Sequence, residues 1–177
     1  DSLQRLIAAF VQQGKIAQAL DVSAALLVRL RMQGDTLAVS TLDVEVAELF
    51  ERISAYGLAA VYYSRSLALM ARQQAWDDAL RAQVVSRTAD AYLHANILDS
   101  ALVYVDQLER MSREGTELYP MVLATALRAQ MRMARGEWRQ ADSLIEKSLA
   151  LEAYMPSPIA HRQILLLSAR NHALQGR

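Results

Sequence analysis

The stretch GEWRQADSLIEKSLALE, residues 136–152, sets a glycine, an aromatic residue two positions later and an alanine five positions later. The same offsets recur along the chain. Gly14, Ile16 and Ala19 repeat them, as do Ser54, Tyr56 and Ala59, and then Asn96, Leu98 and Ala101. A fifth copy opens at Gly176. The intervals are 40, 42, 40 and 40 residues. Seven positions before each turn residue stand Ile7, Ala47, Ala89, Ala129 and Ala169, and four before it stand Phe10, Phe50, Tyr92, Arg132 and His172. A period of this size over nearly the whole chain marks an array of supersecondary units.

Each unit reads as a helical hairpin. Gly14, Ser54, Asn96 and Gly136 close one helix, where glycine or asparagine accepts the left-handed cap conformation. Ile16, Tyr56, Leu98 and Trp138 then pack across the turn. The alanines at 47, 89 and 129 face those at 59, 101 and 141, so the two helices can approach closely. Asp35, Asp77, Thr116 and Ser157 are N-cap types at matching phase. Pro120 and Pro158 fall early in helices, where a missing N–H costs little. These signals predict helices over 2–13, 16–32, 36–54, 57–73, 77–95, 98–113, 117–135, 138–153 and 158–175. Helical content should exceed about two-thirds, well above the globular average.

Composition agrees with an all-α fold. Hydrophobic residues make up 53% of the 177, enough for a core, and only six glycines and three prolines interrupt them. Formal net charge is zero, unlike proteins whose main business is nucleic acid. Without cysteine, thiol chemistry, disulfides and Cys-ligated zinc are excluded. The apolar runs are too short to span a bilayer, so no membrane role is expected of this segment. Neither cytoplasm nor periplasm is singled out. The first residue is Asp1 and not methionine, which leads to the expectation of a cut chain.

The pattern resembles the tetratricopeptide repeat (TPR). Gly136-x-Trp138-x-x-Ala141, followed by Glu146-Lys147-Ser148-Leu149-Ala150-Leu151, is the strongest copy, and Ala101-Leu102 and Ser66-Leu67-Ala68-Leu69 match in phase. The usual repeat is about 34 residues, shorter than the copies here, and the proline that often closes it is missing. Longer repeats of this sort are similar to those in bacterial sensor kinases, transcription regulators and kinesin light chains. HEAT repeats have a similar period but usually lack this hairpin signature. The resemblance implies an α-solenoid of antiparallel hairpins in a right-handed superhelix. It would be a single domain with repeats near 1–34, 35–76, 77–115 and 116–156 and a lone helix over 157–177.

By the same resemblance, the first helix of each hairpin lines a concave groove. Its candidate partner-binding residues are Glu48, Glu51 and Arg52, then Gln83, Ser86, Asp90 and His94, then Gln130 and Met133, and finally Arg170. Some TPR domains clamp a peptide C-terminus with lysine and asparagine on such positions. Here the corresponding pairs are Val44 and Glu48, Ser86 and Asp90, Ala126 and Gln130, and Leu166 and Arg170, none of which is that clamp. Binding of chaperone C-terminal tails is therefore not expected.

Catalytic signatures are weak. Asp90 and His94 share a helix face, but no third ligand lies at helical spacing, so no metal or cofactor is expected. His161 and His172 lie about three turns apart, and His172 takes the packing position of Phe10, Phe50 and Tyr92. Asp43, Glu45, Glu48 and Glu51 read as a solvated helix face. Tyr62 and Tyr63 sit at core phases and lack the basic neighbours of a nucleic-acid surface. Acid gathers over 35–51, and Arg128, Arg132, Arg135 and Arg139 gather over 128–139, which reads as alternating solvated faces or as a dipolar surface that orients a charged peptide.

The expected function is a non-enzymatic module binding a protein or peptide, within a larger bacterial signalling or regulatory protein. The alternative is a small-ligand sensor that signals to an attached kinase or DNA-binding domain. The last helix carries Ile164, Leu165, Leu166 and Leu167 in a row. Its uncovered apolar face is expected to meet further repeats removed from this chain; the alternatives are a second copy in a homodimer through 158–175, or a helix that serves as an imperfect cap.

Overall fold

The computed structural model describes residues 2–73, 77–115, 117–154 and 157–176, apart from the side chains of residues 158 and 159. Among the described residues 84% are helical, in nine helices and no strand. They are α1 (Ser2–Gln12), α2 (Ile16–Met32), α3 (Thr36–Arg52), α4 (Tyr56–Met70), α5 (Asp78–His94), α6 (Leu98–Glu114), α7 (Tyr119–Ala134), α8 (Trp138–Glu152) and α9 (Pro158–Leu174). The chain packs as two compact units, residues 1–77 and 78–177. Their boundary falls where the second repeat gives way to the third.

The hairpin turns follow from one backbone requirement. Gly14, Gly136 and Gly176 have φ of 71°, 73° and 70°, and Ser54 and Asn96 hold the same left-handed region at 58° and 59°. In each hairpin the next residue reaches back to the carbonyl five positions earlier: Lys15 to Phe10, Ala55 to Phe50, Ile97 to Tyr92 and Glu137 to Arg132. That bond closes orphan carbonyls at the helix end, which explains why Phe10, Phe50, Tyr92 and Arg132 share a phase. Gly34 (φ 71°) ends α2 in the same way, with Asp35 N–H donating to Leu30 O. The sequence reading did not single it out. Asp35 and Ser157 cap α3 and α9 through Ala38 N–H and Ala160 N–H. Thr116, another of the four expected caps, lies outside the described residues.

Within residues 1–77, α1 packs on α2, α2 on α3 and α3 on α4. Ala19, Ala47 and Ala59 are fully buried at the crossings. Ile7, Leu26, Leu27, Val39, Leu42, Val46 and Leu49 fill the core, with Phe10, Phe50 and Tyr62 partly buried against it. Each such aliphatic side chain contributes about 1.5–3 kcal/mol by leaving water. Asp43 departs from the expected solvated face. Its side chain has no exposure, and Arg65 of α4 holds both carboxylate oxygens. The α3 face is amphipathic about a different axis from the one the charges suggest, because one carboxylate is turned inward to a partner on the next helix.

Within residues 78–177, consecutive helices pack pairwise, and α7 also packs on α5 and α9. Thus α5, α7 and α9 form one layer, with α6 and α8 behind. Ala89, Ala101, Ala129 and Ala141 are fully buried, as the hairpin spacing requires. Ala169, at the phase of Ala89 and Ala129, is exposed; among the described residues α9 packs on α7 and α8. Of the leucine run, Ile164 and Leu167 are buried while Leu165 and Leu166 are 48% and 64% exposed. Ser66 Oγ donates to Ser40 O across one hairpin, and Ser148 Oγ to Val122 O at the equivalent place two repeats on.

The charge asymmetry seen in the sequence is partly cancelled. Arg128 bonds Glu109 and Asp106 of α6, and Arg132 bonds Glu137. With Asp43 spent on Arg65, the acidic and basic runs are partly internal ion pairs. His172 is a further correction. Its side chain is half exposed and lies 3.6 Å from Asp142, so a carboxylate and not core packing engages it.

Candidate functional site

The layer of α5, α7 and α9 carries a crevice of about 130 Å³. Leu93 and His94 come from the end of α5; Gln130, Met133 and Ala134 come from α7; Leu167, Arg170 and Leu174 come from α9. Four of the residues expected to line a groove, His94, Gln130, Met133 and Arg170, therefore meet in one place. Helical periodicity explains the convergence. Ala126, Gln130 and Ala134 step along one face of α7 at four-residue spacing. The small alanines leave a trough over which the longer His94 and Arg170 side chains stand. Leu167 and Met133 are buried beneath and form an apolar floor.

Asp90 does not line the crevice but sets the state of His94 from one turn earlier. His94 Nδ1 lies 2.9 Å from the Asp90 carbonyl oxygen and 3.4 Å from its carboxylate. Chiefly through hydrogen bonding to the Asp90 side chain, against partial burial and the opposing charge of Arg170, the imidazole is pushed up to about 9. It is thus cationic at neutral pH. Arg170 is exposed and makes no hydrogen bond or ion pair among the described residues. The crevice presents one compensated cation, one uncompensated cation and a primary amide above an apolar floor.

Two acids on α8 hold α9 in position. Glu152, only 7% exposed, accepts from Ser157 N–H and from His161 Nδ1, at 3.0 Å and 2.9 Å. The His161 bond first, and the Ser157 N–H second, keep its carboxyl below the ordinary range. At the other end, Asp142 accepts from Asn171 Nδ2 and Gln175 Nε2. Asn171 is fully buried, and its Nδ2 also donates to Trp138 O at 3.1 Å. With α9 pinned to α8 at both ends, Arg170 is left on the side facing α5 and α7. None of these contacts was foreseen in the sequence. Each joins residues whose proximity depends on how α8 and α9 rotate against each other.

The other expected residues lie elsewhere. Gln83 is exposed and Ser86 half-buried on earlier turns of α5, outside the crevice lining. Glu48, Glu51 and Arg52 stand on α3, in the unit of residues 1–77. That unit has its own open depression of about 360 Å³, lined by Arg31, Gly34, Asp35, Thr36, Val39, Arg65 and Leu69. Of its polar groups, Asp35 caps α3, Arg65 holds Asp43 and Thr36 accepts from Gln73. A broader depression of about 650 Å³ runs over the α7–α8 turn beside Leu174 and Gln175. Among the described residues no set of three histidines or acids is grouped to hold a metal ion, and no helix is long and apolar enough to cross a membrane. The chain matches no model of a known protein family, and no curated protein matches it at a significant level.

Proposed function

We propose that this chain is a TPR-like, non-enzymatic binding module that seats a segment of a partner protein on the α5/α7/α9 layer, within a larger bacterial signalling or regulatory protein. The observation that carries this reading is the convergence of His94, Gln130 and Arg170 on one crevice of that layer. Left-handed hairpin turns at a spacing of 40 to 42 residues and buried alanines at the crossings support the TPR resemblance. The small-ligand sensor is the second reading, favoured by the same polar trio. Size decides between them. Small-molecule sites usually occupy about 300–1,000 Å³, whereas 130 Å³ suits the end of one side chain.

Selection from a random peptide display library tests the proposal. Enriched peptides should lose binding with Gln130→Trp, which fills the crevice, and with Ala134→Arg at its exposed rim. Lys147→Glu on α8 should leave binding unchanged. Enriched peptides indifferent to both crevice variants would defeat the reading. Saturable binding of a whole metabolite-sized ligand, with no peptide enriched, would favour the sensor.

A further inference from the structure

We infer that the α5/α7/α9 crevice is a subsite for a glutamate side chain of the bound segment. This rests on the binding-module reading and specifies its chemistry. The first ground is charge. Arg170 has no counter-ion among the described residues, the crevice lining contains no acid, and Asp90, one turn before His94, is engaged with it. The lining therefore carries a net positive charge that calls for one anionic group. The second ground is size. A cavity of about 150 Å³ takes a benzene-sized molecule of roughly six non-hydrogen atoms. A glutamate side chain has about five beyond Cα, and the crevice holds about 130 Å³.

The third ground is the division of the lining into polar and apolar parts. Leu93, Met133, Leu167 and Leu174 offer a surface for the two methylenes. Arg170 and His94 can donate to carboxylate oxygens, and the Gln130 amide supplies a further N–H. A glutamine would fit the same space but would leave Arg170 without its counter-charge. A lysine would meet two cations. An aspartate, one methylene shorter, would fill less of the apolar part.

The test uses capped single residues on the whole chain, followed by carbon and nitrogen NMR of the Met133 methyl and the Gln130 side-chain amide. N-acetyl-glutamate methylamide should shift both signals saturably. Dissociation constants in the millimolar range are expected for so few atoms. N-acetyl-glutamine methylamide should bind at least about tenfold more weakly, as expected when one charge-assisted contact is lost. Arg170→Gln should bring the glutamate probe down to the glutamine level. Because Arg170 is exposed, that variant should keep the wild-type spectrum elsewhere. Equal shifts from the two probes, or none up to about 100 mM, would overturn the inference. Tighter binding of N-acetyl-alanine with a free carboxylate would also overturn it, by assigning the crevice to a chain terminus. If display-selected peptides bind the layer without preferring glutamate, the subsite fails and the module stands. If the glutamate probe binds as expected but no peptide is ever enriched, the module fails and the anion site stands.

Discussion

Replacing Arg65 by methionine should destabilise the first unit far more than replacing its partner Asp43 by asparagine. The asymmetry follows from burial. The Asp43 side chain has no solvent exposure, whereas that of Arg65 is 34% exposed. Arg65 Nε donates to one carboxylate oxygen at 2.6 Å and Nη2 donates to the other, while the guanidinium stacks 4.3 Å above the Tyr62 ring. In Arg65→Met the stem is kept but the carboxylate is stranded. Breaking a buried pair in this way costs about 3–5 kcal/mol. The expected loss for Arg65→Met therefore lies in that range, because a fully buried carboxylate is left without its partner. In Asp43→Asn the amide oxygen still accepts from Nε and the guanidinium turns to water, so about 1 kcal/mol is expected. The double replacement Asp43→Leu with Arg65→Met should lie within about 1.5 kcal/mol of wild type. Urea unfolding by circular dichroism, with native-state amide exchange read on α3 and α4, measures these values. Equal losses in the two single variants would refute the reasoning.

Three further perturbations bear on the hairpin frame and the crevice. Ala141 is fully buried, so Ala141→Leu should overpack the α7–α8 crossing and lower stability by about 1–3 kcal/mol in urea melts. Ser54 carries a left-handed backbone at φ 58°. Ser54→Gly relieves about 1–2 kcal/mol of strain against about 0.4–1 kcal/mol of added unfolded-chain entropy, and should raise stability by about 0.5 kcal/mol. The His94 imidazole is raised from 6.5 to about 9 in the folded chain, so its contribution is full below about pH 6.5 and fades as pH rises towards 9. Its side chain is 36% exposed, which discounts the effect to about 1 kcal/mol or less. His94→Gln should destabilise the chain at pH 6 and match wild type near pH 9.5.

The hairpin frame was legible because its causes are local. A left-handed turn residue and a small residue five positions later constrain backbone and crossing distance within one helical pair, and the predicted helix bounds fall within three residues of those observed. Contacts between helices were not legible. Asp43 and Arg65 are separated by a whole hairpin, and their meeting depends on how α3 and α4 rotate. The same holds for Glu152 with His161, and for Asp142 with Asn171. Gly34 escaped notice for another reason. Twenty positions after the other turn residues the sequence has Gln74, Thr116 and Pro156, so this glycine leaves no periodic trace. As for the candidate site, a helix face could be traced by phase from Asp90 to His94 and from Ala126 to Gln130. Which members of that face enclose a volume depends on the small alanines of α7 and on the anchoring of α9, and neither is marked by spacing alone.

Because the chain has no cysteine, one introduced thiol gives a unique reporter, and this allows the central claim to be tested directly. An environment-sensitive dye is placed either at Leu166→Cys, 64% exposed on α9 one turn before Arg170 and outside the crevice lining, or at Val103→Cys, 58% exposed on α6 in the layer behind. Each labelled protein is titrated with a display-selected peptide. A saturable emission change is expected from the dye at position 166, lost with Gln130→Trp, and none from position 103. A response from position 103 with silence at 166 would contradict the central claim.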